Sequence, residues 1–543
     1  MRILAAQINP IVGDVEGNTQ KVLAALDRGR EKKIDLILFP ELTLSGYFPD
    51  DLLLDASFID AISTKLEVLE PATHGLFAVI GLPRWNPSRK EKPLYNSAAI
   101  FADGKLLGFK NKTLLPTYDV FDERRYFQPG TDQPVWNYLG RRIAVTICED
   151  LWQHAGLCGD THYARDPVEE LKEQRPDLLL NISGSPYSYK RLDTRLNVFG
   201  GAAKALSCPV VFCNQVGAND QLVFDGYSFY LNEKGEAIQI AKGFVEDDLV
   251  IDLDTHACPC PMPERGTRDL YAALVLGVKD YFHKQGFQKA VLGLSGGIDS
   301  ALVACIAKDA LGEKNVLAIT LPARFSSEGS VSDSVALAKN LGIEIREIPF
   351  DALFQKTLDL LEPAFGELLD QTEQNLQSRL RGLILMALSN QSGALLLNTG
   401  NKSEMALGYT TLYGDMAGAL GVLQDVTKLR VYELAHYVNQ KEPVIPSAIL
   451  TKTPSAELKP NQTDFDTLPP YEVLDPILED YMERNLSPEE IATKRGLALS
   501  FVEDLVRRIY LAEYKRRQSP IAIRVTLKAF SKGRVVPIVQ KWR

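Results

Sequence analysis

Histidine, tryptophan and cysteine are scarce in this sequence: six, four and seven among 543 residues. Few, scattered cysteines without a repeated spacing exclude a disulfide-stapled scaffold and fit a reducing, cytoplasmic location. The tightest pair, Cys258-Pro-Cys260, has no second pair and no nearby His-x-x-x-His, which excludes an ordinary zinc knuckle. No apolar run approaches the roughly 20 residues of a membrane span. The opening MRILAAQINP is broken by Gln7, Asn9 and Pro10, so neither membrane insertion nor export is expected. Basic charge is not in excess either. Lys plus Arg number 60 against 70 Asp plus Glu, a net charge of -10 that works against nucleic-acid binding and points to small-molecule partners. Heptads and repeats of roughly 20–50 residues are missing, which removes coiled coils and solenoids.

What remains is ordinary globular usage, 45% hydrophobic and 24% charged, in a chain too long for one core, so at least two domains are expected. Strand-length apolar runs alternate with helix-like segments, the pattern of an α/β fold. In the first half, IDLILFPEL, RRIAVTICED, PDLLLNISG and CPVVFCNQVG pass straight from buried strand into Glu41, Cys148, Ser183 and Asn214. Ligands collect at the carboxyl ends of strands in such folds, so these ends predict one shared site. The second half repeats the habit in KAVLGLSGGIDS, NVLAITLPARFSSEG and GALLLNTGNKSE. Between the halves, THACPCPMPERGTR reads as a linker, giving domains at 1–255 and 269–543 joined by 256–268. RDLYAALVLGVKDYFHKQG then predicts an amphipathic helix stopped by Gly286.

Cys148, at a strand end and followed by two acids, is either inert packing or a nucleophile in need of a base. None of the six histidines lies in the strand-end motifs, which disfavours a Cys-His pair. A carboxylate is the remaining base, and Glu41 follows a strand, where burial would raise its proton affinity. Glu41 as a helix cap, Lys112 as a solvated loop charge and Cys148 as core stay open as bland alternatives. FPELTLSGY, KNKTLLPTYDVFDERRYF and TICEDLW together resemble the three motif regions of the nitrilase-related amidases. That resemblance implies an α-β-β-α sandwich, with Glu41 as general base, Lys112 as the cation beside the oxyanion, Cys148 as nucleophile and Glu123 as a further carboxylate. It also implies a grip on glutamine by Tyr118, Ser185 and either Lys190 or Arg191, of which Arg191 has the better spacing.

After the strand AVLGL comes Ser295-Gly-Gly-Ile-Asp299-Ser300 and a helical run. Two glycines, clustered N–H groups and a helix N-terminus make a phosphate cradle, and the absence of Gly-Lys-Ser/Thr separates it from the Walker type. SGGIDS resembles the loop of enzymes that split ATP between its α- and β-phosphates. LPARFSSEGSVSDS, NLQSRLRG, NTGNKSEMALGYTTLYGD and AEYKRRQ narrow the likeness to NAD synthetases. The whole chain thus resembles the glutamine-dependent NAD synthetases. A doubly wound parallel sheet of the adenine nucleotide hydrolase type is implied for the second half. So are ATP at Gly293, Leu294, Ser295, Gly296, Gly297, Ile298, Asp299, Ser300 and Thr399, and deamido-NAD at Asn375, Glu404 and Lys515. Mg2+ on Asp299 and Glu404 is implied too, as is a homo-oligomer built on a dimer of the synthetase half.

The implied reaction is a glutamine-hydrolysing C–N ligase, with ammonia passed in a shielded way because free ammonia would be protonated in neutral water. GMP and asparagine synthetases are disfavoured: the first needs a Cys-His-Glu triad and the second an N-terminal cysteine, where Arg2 stands here. An amidase with a nucleotide-sensing module is the rival of another class. Residues 487–509 resemble a helix-turn-helix, with Ser487 and Ser500 each three residues before an acid as in capping boxes. Paired structural helices are the reading preferred on overall charge. The segment after Glu513 holds nine Lys/Arg and no acid, read as a basic edge on an acidic body.

Overall fold

The computed structural model describes residues 1–88, 91–158, 161–255, 258–366, 368 and 370–542. Residues 256 and 257 of the expected linker and residue 543, the expected end of the second domain, lie outside the described residues. The chain divides into two compact units, Met1–Arg265 and Gly266–Arg543.

In the first unit the strands are β1 (Arg2–Gln7), β2 (Leu36–Leu38), β3 (Phe77–Trp85), β4 (Leu94–Ala102), β5 (Lys105–Asn111), β6 (Val135–Tyr138), β7 (Arg141–Ile147), β8 (Leu178–Ser183), β9 (Val210–Asn214), β10 (Val216–Asn219), β11 (Leu222–Asp225), β12 (Phe229–Leu231), β13 (Ala237–Ile240) and β14 (Asp247–Asp252). They form two six-stranded sheets, ordered β14-β1-β2-β3-β4-β5 and β13-β12-β9-β8-β7-β6, with β10-β11 as a separate ribbon. Alternation along each strand builds the layers. Ile3 and Ala5 of β1 meet Val145 of β7 and Leu180 of β8 between the sheets, while Leu4 and Ala6 face Val22, Leu26 and Ile62 of the helices Val15–Glu31 and Ala56–Ala72. The second sheet is covered by Pro167–Lys172 and Arg191–Leu206 through Val168, Leu171, Val198 and Phe199. The result is a four-layered α-β-β-α sandwich, which is why the central strands are apolar on both faces. β1, β2 and β3 run parallel in one sheet and β7, β8 and β9 in the other.

The second unit carries β15 (Ala290–Gly293), β16 (Val316–Thr320), β17 (Glu344–Glu347), β18 (Leu395–Asn398), β19 (Leu420–Gly421) and β20 (Ile521–Ala522). All pair in parallel in the order β17-β16-β15-β18-β19-β20, a doubly wound sheet. Strand order reverses between β15 and β18, which puts the ligand crevice beyond Gly293 and Asn398. The helix Thr267–His283 ends three residues short of Gly286, which takes φ 82° in the turn that follows. Residues 487–509 form two helices, Pro488–Arg495 and Leu499–Leu511, whose buried Ile491, Val502, Leu505 and Ile509 pack with Leu474, Ile477 and Leu478 of Tyr471–Met482. Ser487 makes the expected capping box with Glu490. Ser500 does not cap, because that helix starts one residue earlier, behind Ala498.

Candidate functional site

In the first unit the polar strand ends converge. Glu41 and Lys112 are fully buried, and the Lys112 Nζ donates to Glu41 Oε1 at 2.7 Å and to Glu123 Oε1 at 2.6 Å. Asn96, on β4, donates to Glu41 Oε1 at 2.8 Å and also faces Glu123 Oε2; the Tyr47 hydroxyl donates to Glu123 and the Gly184 N–H to Glu41 Oε2, each at 2.9 Å. Burial works against charge on Lys112, yet Glu123 and Glu41 outweigh it and hold the ammonium's pKa well above its ordinary value. Burial, opposed by Lys112 and reinforced by Glu41, pushes Glu123 up to about 7. Cys148 directly follows β7 in a left-handed conformation, φ 42°, at the start of a single tight turn, Cys148–Leu151. Burial first, then the negative charge of Glu41, raises its thiol pKa well above the ordinary range, while Lys112 pulls it down. The thiol therefore rests protonated, beside an ammonium and two carboxylates.

Around this centre lie the expected glutamine contacts. Tyr118 donates to Glu149 Oε1 at 2.8 Å, and Tyr163 donates to the same oxygen at 3.2 Å. Burial raises Glu149 to about 7, against Lys112, Tyr118 and Arg191. Arg191 stacks over the Trp152 ring at 4.2 Å, whereas Lys190 is exposed, left-handed at φ 67°, and over Tyr189. Ser185 Oγ accepts from Arg195 Nε at 3.0 Å, and Arg195, fully buried, is bound by both oxygens of Asp225.

The second unit holds a cavity of about 310 Å³ at the strand-order reversal. Gly293, Leu294, Ser295, Gly297, Ile298, Asp299 and Ser300 line it, with Thr399 and Glu404 from beyond β18. Ser300 Oγ takes the Ser295 N–H at 3.2 Å and holds the loop against the N-terminus of the helix Ile298–Leu311. Gly296 has φ 76°, and a Cβ there would sit 2.5 Å from the Ser330 carbonyl oxygen. Asp299 accepts from Asn401 Nδ2 at 3.0 Å and pairs with Lys428, which also lies 3.7 Å from Glu404. Burial, helped by the Asp299 charge and opposed by Lys428, raises Glu404 to about 8. The buried Asp464 adds a third acid. This surplus of hard oxygen donors suits a divalent cation shared with phosphate oxygens.

Comparison with known proteins gives two family matches: carbon-nitrogen hydrolase over residues 2–258 and NAD synthase over 270–519. The glutamine-dependent NAD(+) synthetase of Synechocystis sp. is 43% identical across 99% of this chain and 98% of its own; that of Thermotoga maritima is 39% identical across 100% and 99%. The chain belongs to the glutamine-dependent NAD(+) synthetase family. Among solved members, the Acinetobacter baumannii enzyme in complex with adenosine diphosphate has 38% identity and a TM-score of 0.79 over 100% of this chain and 99% of its own. The Cytophaga hutchinsonii enzyme shares the fold, with a TM-score of 0.85 at 20% identity over 99% of this chain and 98% of its own.

Not every residue expected from the synthetase likeness reaches the cavity wall. Gly296 lies behind it, packed on the Ser330 backbone. Asn375 accepts from Thr411 Oγ1 at 3.0 Å, and Lys515 donates to the Gly408 and Thr410 carbonyls at 2.8 and 2.6 Å. Both sit one residue layer away, beside the cavity residue Thr410. Sequence reasoning missed Lys428, Asp464, Arg381, Lys452 and Glu457, all on the wall. Lys452 bonds Glu457 at 2.7 Å, and Glu457 accepts from Ser330 at 2.8 Å. In the first unit it missed Asn96, Tyr47, Glu149, Asp150 and Arg195. TICEDLW carries the signal for two of these, since both acids follow Cys148 directly. The basic tail is partly tied inward: the buried Arg516 reaches Glu513 and the Met405 and Ala406 carbonyls, and Arg517 reaches Glu513.

Proposed function

We propose that the first unit hydrolyses glutamine to glutamate and ammonia, and that the second adenylates deamido-NAD with ATP and amidates it to NAD. The single observation that carries the first half is Lys112, clamped between Glu41 and Glu123 beside the Cys148 turn. Because the thiol rests protonated, attack on the glutamine amide carbon is coupled to proton transfer from Sγ to Glu41. Lys112 holds its charge beside the oxyanion of the tetrahedral intermediate. Glu41 returns the proton to the departing nitrogen, and ammonia leaves a thioester on Cys148. Glu41 then takes a proton from water as that water attacks, and glutamate and the thiol are released. Arg191, Ser185 and Tyr118 grip the amino acid. Arg191 is chosen over Lys190 because its guanidinium faces Glu149 and Tyr118 electrostatically and binds a carboxylate bidentately.

In the second unit the loop Gly293–Ser300 and Thr399 cradle ATP, and the deamido-NAD carboxylate attacks its α-phosphate with loss of pyrophosphate. Ammonia attacks the acyl adenylate and AMP leaves. Asp299 and Glu404 would hold Mg2+, which supplies positive charge to the phosphates. Asn375, Glu404 and Lys515 are assigned to deamido-NAD, Asn375 and Lys515 by way of the Thr410–Thr411 segment they brace. We assign the domains as 1–255 and 269–543. A homo-oligomer through the synthetase unit fits Leu360, Phe365 and Leu383, which are 74%, 76% and 61% exposed on the helices Asp351–Phe365 and Asp370–Ser392. A cytoplasmic location fits a chemistry that needs a reduced thiol and ATP, and no described helix is long and apolar enough to cross a membrane.

The test compares nitrogen donors. Purified protein with ATP and deamido-NAD is expected to release pyrophosphate and form NAD with either glutamine or ammonium. Cys148→Ala is expected to abolish the glutamine-driven reaction and leave the ammonium-driven one. Loss of both, or survival of both, would overturn this division of labour.

A further inference from the structure

Asp150 is an acid that the proposed mechanism does not use, yet it is fully buried two residues from the thiol. Its Oδ1 accepts the Thr113 and Leu114 N–H groups, both at 2.9 Å, and its Oδ2 accepts the Ile147 N–H at 3.1 Å. Thr113 and Leu114 directly follow Lys112, and Ile147 directly precedes Cys148. One carboxylate thus joins the segment leaving β5, in the first sheet, to the end of β7, in the second. We infer that Asp150 is a positioning residue for glutamine hydrolysis, fixing the separation of the Lys112 ammonium and the Cys148 thiol. The inference rests on the reading of those two residues as the reacting pair.

Three features make a carboxylate the right group. It offers two acceptor oxygens and no donor, and all three of its partners are donors. An asparagine would keep one acceptor but turn an N–H toward one of the facing N–H groups, leaving buried donors opposed. The charge is also balanced locally: the buried Lys110 Nζ lies 4.0 Å from Oδ2 and is itself held by Thr113 Oγ1 at 2.8 Å and the Asp132 carbonyl at 3.1 Å. Thr113 Oγ1 also accepts from Gln133 at 3.0 Å. The rest of the Lys112 backbone is pinned separately, its N–H to the Asn96 carbonyl and its carbonyl to the Gly130 N–H, both at 2.8 Å. Asp150 therefore ties the backbone next to the ammonium to the backbone next to the thiol, whereas the Tyr118–Glu149 bond joins the same segments only through side chains farther from Lys112, and loss of Asp150 lets the reacting pair drift without dissolving either sheet's core. Displacements of about 1 Å in such a pair cost roughly 100-fold in rate.

The experiment uses the full-length enzyme with Asp150→Asn and Asp150→Glu, scored for glutaminase kcat and KM, ammonium-driven synthesis and the pH profile of Cys148 alkylation by iodoacetamide. The groups acting electrostatically on the thiol are Glu41, Lys112, Glu149 and Glu123. Removing a negative charge alone would ease thiolate formation and move the alkylation profile to lower pH. Loosening Lys112 moves it to higher pH. Asp150→Asn is expected to lower kcat about 100-fold with KM within about 3-fold, to shift alkylation to higher pH and to keep ammonium-driven synthesis. Asp150→Glu, which keeps the charge but misplaces the oxygens, is expected to lose kcat as well. Unchanged kcat in either folded variant, a downward alkylation shift, or a loss carried wholly by KM overturns the inference. So does failure of both variants to fold, since that marks the group as structural. Glutamine hydrolysis surviving Cys148→Ala would instead sink the parent reading.

Discussion

The two sites differ in how their buried acids are hydrogen-bonded: Glu41 and Glu123 meet several protein donors, whereas Glu404 meets few. In the first unit the buried Lys112 ammonium bonds both Glu41 and Glu123, and Asn96, Tyr47 and the Gly184 N–H donate further bonds to those carboxylates, while burial still lifts Glu123 and the nearby Glu149 to about 7. In the second, Lys428 pairs with Asp299, lies 3.7 Å from Glu404 and pulls on Asp464, yet Glu404 is driven to about 8. The first site meets a substrate whose reacting amide is neutral, so it must be preorganised before binding. On the proposed reading the second takes a polyphosphate, and its acids and open glycine loop would leave room for that ligand and a cation to complete the charge set.

The heaviest loss is expected on the nucleotide side. Gly296→Ala forces a side chain onto φ 76° and 2.5 Å from the Ser330 carbonyl oxygen, a backbone contact that cannot swing away. Synthesis should fall by a factor on the order of 1,000 with glutamine and ammonium alike, while glutamine hydrolysis persists, measured as glutamate release. This is the mirror of Cys148→Ala. Loss of glutamate release in Gly296→Ala would mean that the two sites are not separately preorganised.

Much of this contrast was legible in the sequence, and the reason is local. Strand ends are read from apolar runs, and the two reactive loops, FPEL and SGGIDS, each follow a strand at once; so Glu41, Cys148 and Gly293–Ser300 were within reach of pattern alone. Lys112 needed its family motif. What stayed hidden came from elements far apart in the chain. Asn96, near the start of β4, has nothing local to mark it, and it matters because its side-chain amide reaches Glu41 and Glu123. Lys428 and Asp464 are 129 and 165 positions beyond Asp299, numbers that no spacing rule connects. Asn375 and Lys515 failed to reach the cavity wall for the converse reason: a motif fixes which residues matter and leaves open whether they touch the ligand or brace what does. Ser500 shows a cap signal that the helix bypasses, beginning at Leu499 behind Ala498.

Glu404 also makes cation binding at the second site depend on pH. A carboxyl whose pKa is about 8 is mostly protonated at pH 7, and a bound cation lowers that pKa, so binding must expel the proton. Titration calorimetry of Mg2+ with ATP at pH 7, repeated in buffers of different ionisation enthalpy, should show proton release. The release should exceed that of Mg2+ and ATP mixed without protein, and the excess should vanish at pH 9.5, where Glu404 has already lost its proton, and in Glu404→Gln. Equal excess release at both pH values would remove the surplus-charge account of this site.

The smallest effect tests how finely the first site is preorganised. Arg191 is stacked on Trp152 and presents a planar fork, while the neighbouring Lys190 is exposed over Tyr189. Arg191→Lys keeps the charge but loses the stacking and the second N–H bond to a carboxylate, a charge-assisted contribution of about 1.5–3 kcal/mol. The glutamine KM should therefore rise roughly 10- to 100-fold with little change in ammonium-driven synthesis. Lys190→Ala should leave the KM within about 2-fold, as expected of a solvated charge. The reverse ranking would move the carboxylate grip to Lys190 and imply that the turn at 189–191 rearranges when glutamine binds, making this part of the first site as dependent on its ligand as the nucleotide cavity is.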